Sequence, residues 1–157
     1  MDAELDAAVA FLGSRGFLHL DAHFENVLTD GHRFYLADFG LALSSRFDLA
    51  PDDAAFVEAH LDHDRAYVAT HLVTWLAVAF RGLGPEERRA FVRSCAVGVP
   101  PEGVPPGVAA LLLRHAPVAA VMGDFHRAFR QESREASFPR EAIRRALSLP
   151  PAGPASA

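Results

Sequence analysis

Two short strings, His19-Leu-Asp-Ala-His-Phe-Glu-Asn26 and Asp38-Phe-Gly40, decide how this chain is interpreted. Residues 27–37 join them and contain the pair Asp30-Gly31 between two short runs that are rich in apolar residues. An Asp-Gly pair suits the type I′ turn of a two-residue hairpin loop, because both central residues of that turn need positive φ. We therefore predict a β-hairpin in which Val27 pairs with Phe34 and in which Asn26 and Asp38 end up side by side.

The same two strings resemble a known family. The pattern HxDxxxxN followed by DFG is similar to the catalytic loop and the magnesium-binding loop of the protein-kinase superfamily. The helix that ends before His19 resembles the family's helix before the catalytic loop, and the apolar residues 64–81 resemble its buried central helix. The resemblance covers residues 3–81 and implies the fold of a kinase C-terminal lobe, which is mainly α with a small β-hairpin.

The resemblance also implies a role for each matching residue. Asp21 would orient the acceptor hydroxyl and take its proton, which a carboxylate is able to do. Asn26 and Asp38 would hold Mg²⁺, which prefers oxygen ligands, and Leu28 would lie beneath the adenine ring of ATP. Of the remaining matches, His19 and His23 are grouped with Asp21 as catalytic, Phe39 and Gly40 with Leu28 as cofactor-binding, and Asp64 is implied to accept backbone N–H groups of the catalytic loop.

Some positions depart from the pattern of regulated protein kinases. Leu20 stands where those kinases often have arginine, so control by a phosphorylated activation loop is not expected. His23 and the short segment between Phe39 and Asp64 are more similar to small-molecule kinases. The acceptor hydroxyl is therefore that of a small molecule or of a protein serine or threonine.

The upstream part of the kinase pattern is not found. Only 18 residues precede His19, and all 15 basic residues of the chain are arginine, so it contains no lysine. We expect the nucleotide-covering lobe, with its glycine-rich loop and lysine, to be absent from this chain. The expectation is a kinase-like phosphotransferase that is incomplete or inactive alone and that needs a missing N-terminal lobe or a partner chain. The alternative is a non-catalytic pseudokinase module that binds a partner with its exposed face.

Hydrophobic periodicity outside the two strings predicts a mostly helical chain. The expected helices are residues 3–14, 64–81, 85–95, 108–115, 118–133 and 140–147, with a helical turn within residues 52–60. The 64–81 helix is apolar on most faces, which is typical of a helix in the centre of a domain. Residues 1–149 are assigned to one kinase-like C-terminal lobe, and residues 150–157 to a disordered tail.

Composition limits the classes of binding partner and the cellular compartment that we expect for this chain. Net charge is −5 and the arginines are scattered, so a nucleic-acid partner is not expected. Residues 1–18 lack a secretory signal pattern and Cys95 is the single cysteine, which together favour the cytoplasm. The most apolar stretch, residues 66–80, is shorter than the roughly 20 residues that a membrane span needs. We therefore predict no membrane span.

The histidines also permit an alternative interpretation, in which the chain is a metal hydrolase. His19-Leu-Asp-Ala-His23 resembles a metal-binding string, and His60 with Asp64 has the i, i+4 spacing at which an imidazole and a carboxylate can share a metal on a helix. The wider His/carboxylate cluster comprises Glu58, His60, Asp62, His63, Asp64 and His71. A simpler alternative is that the histidines are solvated and that Asp64 caps the helix that follows it.

Overall fold

Helices dominate the computed structural model, which describes residues 2–131, 133 and 135–149. Helix accounts for 61% of the chain and strand for 7%, which confirms the predicted mainly-α class. The chain divides into two compact units, Met1–Val68 and Ala69–Ala157. The predicted disordered tail, residues 150–157, lies outside the described residues.

The first unit contains short strands between helices. Its elements in chain order are α1 Asp2–Ser14, β1 Phe17–Leu18, a 3₁₀ turn Phe24–Asn26, β2 Val27–Thr29, β3 Phe34–Leu36, β4 Leu43–Ser44, α2 Pro51–Ala59 and the first turn of α3 His63–Arg81. The strands β1 and β4 pair antiparallel, as do β2 and β3. Buried Leu5, Val9, Ala22 and Val68 form a core against which Phe24, Val27 and Leu36 pack. The hairpin and the string of residues 19–26 thus rest on α1 and the start of α3.

The predicted hairpin is present, but its predicted register is wrong. Val27 pairs with Leu36, and Thr29 pairs with Phe34, so the loop has four residues rather than two. The side chain of Asp30 explains the longer loop, because its Oδ1 accepts the backbone N–H groups of residues 32 and 33, each at 2.8 Å. Of the turn pair, only Gly31 has positive φ, at 88°. A shift of two positions keeps every side chain on its predicted face of the ribbon.

The pairing of β1 with β4 was not predicted. Phe17 lies opposite Ser44, and the N–H of Ser45 donates to the carbonyl of Gly16 at 2.8 Å. Gly16 has a φ of 68°, a conformation that favours glycine. A Cβ at this position would also lie 2.9 Å from Cβ of Ser45 and closer still to its Oγ. The close approach of the two chain segments therefore requires glycine at position 16.

The second unit is helical. It contains the rest of α3, then α4 Pro85–Ala96, α5 Pro106–Gln131 and α6 Arg140–Leu147. Helix α5 packs against both α4 and α6. The buried core of the second unit includes Val92, Cys95, Leu112, Met122 and Ile143.

Helix α5 differs from the two helices predicted for this segment. It is continuous over 26 residues with Pro117 inside it. Proline normally breaks a helix because it lacks a donor and its ring crowds the preceding turn. Here Leu112 and Ala116 are buried before the proline, and Val118 and Met122 are buried after it. Burial on both sides of Pro117 stabilises the single helix despite that cost.

Two smaller predictions also need revision. The segment predicted to form only a helical turn within residues 52–60 is a nine-residue helix, α2, with Pro51 at its first position. The 64–81 helix buries Leu72, Val73 and Leu76, but Trp75 is 53% exposed and Phe80 is 42% exposed. This helix was predicted to lie in the centre of a domain, but part of its apolar surface is exposed.

One helix among the described residues, α5, is long and apolar enough to cross a membrane. The only other candidate in that part of the chain is the pair α3 and α4, which would form a span bent by 112°. A single helix of this length and composition does not establish a membrane span, because buried core helices of soluble proteins share both properties.

Candidate active site

Asp64 anchors the string of residues 19–26 to the first turn of α3. Its carboxylate accepts the backbone N–H of His19 through Oδ2 at 2.6 Å and that of Leu20 through Oδ1 at 2.9 Å. These are the hydrogen bonds that the kinase resemblance implies for Asp64. The alternative N-cap position does not match, because α3 begins at His63 and Asp64 is its second residue. The loop backbone turns sharply at this point, with Leu20 at a φ of 66°.

Asp64 is a buried charge that its neighbours stabilise. The residue is 1% exposed, and burial acts to raise the pKa of its carboxyl. The hydrogen bond from His63, at 3.2 Å, and those from the two loop N–H groups outweigh burial, so the pKa lies below its ordinary value. Asp64 is therefore ionised in the folded protein at neutral pH.

His19 links the loop to the far end of the hairpin. Its ring is fully buried, Nε2 lies 3.0 Å from the carbonyl oxygen of Ala37, and Nδ1 lies 3.4 Å from the backbone nitrogen of Asp21. These partners assign the proton to Nε2, which donates to Ala37, while Nδ1 accepts from Asp21. The ring also packs on Phe39 with centroids 4.7 Å apart. His19 thus contacts the segments on either side of Asp38.

Asp21, His23 and Asn26 form a polar cluster at the end of the loop. The Nδ2 group of Asn26 donates to the backbone carbonyl of Asp21 at 3.0 Å and to its Oδ2 at 3.1 Å. Nε2 of His23 lies 3.5 Å from Oδ1 of Asp21 and 3.4 Å from Nδ2 of Asn26. All three side chains are partly exposed. The carboxylate of Asp21 is thereby oriented and still accessible to a hydroxyl group from solvent.

The hairpin brings Asn26 next to the second string. The N–H of Ala37 donates to the carbonyl of Asn26 at 2.9 Å, so Asn26 lies opposite the residue that precedes Asp38. Asp38 is exposed, has a φ of 57°, and accepts the N–H of Gly40 through Oδ1 at 3.2 Å. In the predicted register, Asn26 would have lain opposite Tyr35 instead. The four-residue loop is thus what aligns Asn26 with the end of β3.

Three predicted cofactor-binding residues lie near this edge. Leu28 is 57% exposed on β2, and Phe39 is 46% exposed with its ring 5.9 Å from that of Phe17. Gly40, which is also exposed, has its N–H held by the Asp38 carboxylate. The three residues are accessible, and two of them present apolar surface.

Asn26 and Asp38 suit Mg²⁺ as a partial ligand set. With Nδ2 of Asn26 directed at Asp21, its amide oxygen is available on the opposite edge, and Asp38 uses only Oδ1 in its bond to Gly40. Protein Mg²⁺ sites commonly use one or two such oxygen ligands and complete the shell with water and substrate phosphates. The two residues thus offer oxygen atoms of the type that Mg²⁺ prefers, as far as their chemistry is concerned.

The competing metal cluster does not form. His60 stacks on Phe56 with centroids 3.9 Å apart, and its Nδ1 lies 2.7 Å from the carbonyl of the same residue. Asp64 instead accepts the backbone N–H groups of His19 and Leu20. Within the described part of the chain, no group of three or more His, Cys, Asp or Glu side chains is arranged to hold a metal ion.

Sequence reasoning missed one ion pair that supports the site. Arg65 on α3 donates to both carboxylate oxygens of Asp6 on α1, from Nε at 3.0 Å and from its NH2 nitrogen at 3.1 Å. The hydrogen bonds with Asp6 raise the pKa of Arg65. No local signal predicts this contact, because the partners are 59 positions apart in the sequence.

Comparisons with known proteins identify no relative. No protein-family model matches the chain, no curated protein matches it, and no solved structure matches it.

Proposed function

We propose that this chain carries the catalytic and metal-binding loops of a protein-kinase-like phosphotransferase, which transfers the γ-phosphoryl group of ATP to a hydroxyl group. One connected set of hydrogen bonds carries the proposal. It runs from Asp64 to the N–H groups of His19 and Leu20, and from the His19 ring to Ala37. This set supports the loop bearing Asp21 and Asn26 and ties it to the strand that ends before Asp38.

Asp21 is the proposed acid–base residue. Its carboxylate accepts a hydrogen bond from Asn26 and lies near His23, so its orientation is defined before any acceptor arrives. A hydroxyl group bound against Asp21 would be aimed at the phosphoryl group and would give its proton to the carboxylate. The acceptor is a small-molecule hydroxyl or that of a protein serine or threonine.

Asn26 and Asp38 are the proposed ligands of Mg²⁺ that is bound together with ATP. When bound, Mg²⁺ neutralises charge on the phosphates. Leu28 and Phe39 offer the apolar surface on which the nucleotide base would rest. Residues 1–157 contain no lysine. The counterpart of the kinase lysine at the β- and γ-phosphates would therefore be supplied by a missing N-terminal lobe or a partner chain.

A second candidate is a pseudokinase-like module that binds a partner without catalysis. It is favoured by exposed apolar side chains of the first unit, namely Leu28, Tyr35, Phe39, Leu41 and Phe47, each at least 46% exposed. Apolar groups clustered on a surface often mark an interaction site. Both candidates use the same face of the first unit, and they differ in whether Asp21 acts on a substrate.

The proposed metal ligands can be tested by titrating the chain with Mg²⁺ and a non-hydrolysable ATP analogue in a calorimeter. We expect weak Mg²⁺-dependent binding that Asp38→Ala abolishes, because this substitution removes the charged ligand. Asp48→Ala is the matched control, since it removes an exposed carboxylate from the same unit. Equal binding by wild type and Asp38→Ala would remove Asp38 from the metal role.

A further inference from the structure

A concave site lies in the second unit, between α4 and α5. This pocket has a volume of about 310 Å³, which is at the lower end of the roughly 300–1,000 Å³ typical of small-molecule sites. Small residues on α5, including Ala119, Ala120 and Gly123, line it together with Val92 on α4. No atom lies within 4 Å of where a Cβ on Gly123 would be, so the space beside this glycine is open.

The lining of this pocket is strongly basic. Five arginines and two carboxylates line the pocket, so its net charge is +3 when His126 is neutral. The whole chain, by contrast, has a net charge of −5. The arginines are Arg88, Arg89, Arg93, Arg127 and Arg130. Such a concentration of one charge in a concave site raises the local concentration of ligands of the opposite charge.

The two carboxylates neutralise only part of this charge. Glu86 pairs with Arg89 one turn away on α4, and Asp124 on α5 pairs with Arg93 on α4 at 2.6 Å. The second pair bridges the two helices and holds one guanidinium group in a defined position. Among the described residues, neither Arg88 nor Arg130 forms an ion pair, so both are available to a ligand.

We propose that this pocket binds a small molecule that carries a phosphate or diphosphate group. Guanidinium groups donate paired hydrogen bonds in a planar geometry that matches phosphate oxygens. Thr70 and Thr74 add hydroxyl groups to the lining, while Val92 and the alanines offer apolar contact to the rest of the ligand. The pocket shares no residue with the candidate active site, so the proposal stands apart from the proposed phosphotransfer.

Calorimetric titration of the full chain with inorganic pyrophosphate tests the proposal. The titration is run in EDTA without Mg²⁺, so that metal binding at Asp38 makes no contribution. We expect saturable binding that Arg88→Gln and Arg130→Gln each weaken about tenfold, the usual loss for one charge-assisted hydrogen bond. Arg145→Gln is the matched control, because it removes an exposed arginine on α6, which does not line the pocket.

The Gly123→Leu variant distinguishes binding in a pocket of defined shape from non-specific attraction of pyrophosphate to positive charge. The substitution leaves the charge unchanged and directs a side chain into the open space, so binding should fall at least tenfold. Thermal unfolding of each variant checks that it is folded. Citrate, which has a similar charge but no phosphate, should bind at least tenfold more weakly than pyrophosphate.

Several outcomes would overturn the proposal. These are no saturable binding of pyrophosphate at millimolar concentration, equal weakening by Arg145→Gln, or unchanged binding in folded Gly123→Leu. Citrate binding as tight as that of pyrophosphate would contradict a phosphate site. Asp38→Ala should leave pyrophosphate binding intact, which keeps this test separate from the test of the proposed active site.

Discussion

At the scale of single residues, a buried charge orders the candidate active site. Burying a carboxylate is costly unless hydrogen bonds replace its lost hydration. Asp64 receives such bonds from two consecutive backbone N–H groups and from His63. The same bonds hold the backbone at Leu20 in its positive-φ conformation. Asp64 thus holds the backbone of the loop that bears Asp21 in a defined position.

Replacement of Asp64 by alanine should destabilise the first unit. The change leaves two loop N–H groups without an acceptor, so we expect the free energy of unfolding to fall by about 3 kcal/mol. Urea denaturation followed by circular dichroism measures this loss. Asp48→Ala, an exposed control, should change stability by less than about 0.5 kcal/mol. An unchanged midpoint for Asp64→Ala would show that the loop does not depend on this carboxylate.

The pH dependence of the same variant follows from the lowered pKa of Asp64. A carboxyl whose pKa is depressed by folding stabilises the protein above its unfolded-state pKa, about 3.9. That stabilisation is lost as pH falls through the lower folded-state pKa. The stability difference between wild type and Asp64→Ala should therefore be constant at neutral pH and shrink below about pH 4.

At the scale of elements, the β1–β4 pair closes the segment that contains both strings. Gly16 and Ser45 are in backbone contact at the edge of this pair, and Gly16 has positive φ. Both conditions penalise any side chain at position 16. The pair is only two residues long in each strand, so its stability depends on this contact as well as on the ladder itself.

Gly16→Ala should destabilise the first unit by about 2–3 kcal/mol, the combined cost of positive φ and of overpacking. Gly31→Ala is the matched control, because Gly31 has a φ of 88° but nothing within 4 Å of an added Cβ. It should cost only about 1 kcal/mol. The double variant Gly16→Ala/Ser45→Gly should recover part of the loss. Equal destabilisation by the two alanine variants would argue that the Ser45 contact is unimportant.

At the scale of the whole molecule, the proposed chemistry lacks one part. In the proposed function the first unit would supply a carboxylate for the acceptor and two oxygen ligands for Mg²⁺, but residues 1–157 contain no counterpart of the kinase lysine that binds the phosphates. Loss of even one preorganised electrostatic contact reduces enzymatic rates by about 10²- to 10³-fold. The catalytic and the non-catalytic candidate functions therefore differ in what happens when the missing contacts are supplied.

Residues 1–157 alone should show negligible transfer of the γ-phosphoryl group from ATP. Radiolabelled ATP with a panel of protein and small-molecule acceptors measures this activity. A polypeptide that provides a glycine-rich loop and a lysine should restore transfer, and Asp21→Asn should abolish the restored activity. Robust transfer by residues 1–157 alone would contradict the requirement for outside contacts. Restored transfer that survives Asp21→Asn would remove Asp21 from its catalytic role.

Local sequence patterns determined most of the helices in this protein. Residues 140–147 were predicted and observed as α6, and the predicted limits of the helices at residues 64–81 and 85–95 differ from α3 and α4 by one residue. Apolar periodicity and helix-start signals act within a few turns, so they can be identified without knowledge of the fold. The existence of the hairpin also followed from its Asp-Gly pair, and Asp64 was identified as a support because of the kinase resemblance.

Contacts between distant segments decided the remaining features. The hairpin register is the exception, because it depends on local bonds from two following N–H groups to Asp30. The continuity of α5 through Pro117 depends on burial on both sides of the proline. The Arg65–Asp6 pair and the arginine-lined pocket join residues that are far apart in sequence. A single sequence does not encode such pairings as a local pattern, because the partners meet only when the chain folds. The sequence by itself thus determined most of the helices and predicted the candidate catalytic residues, whereas the folded structure alone aligned Asn26 with the end of β3 and assembled the basic pocket.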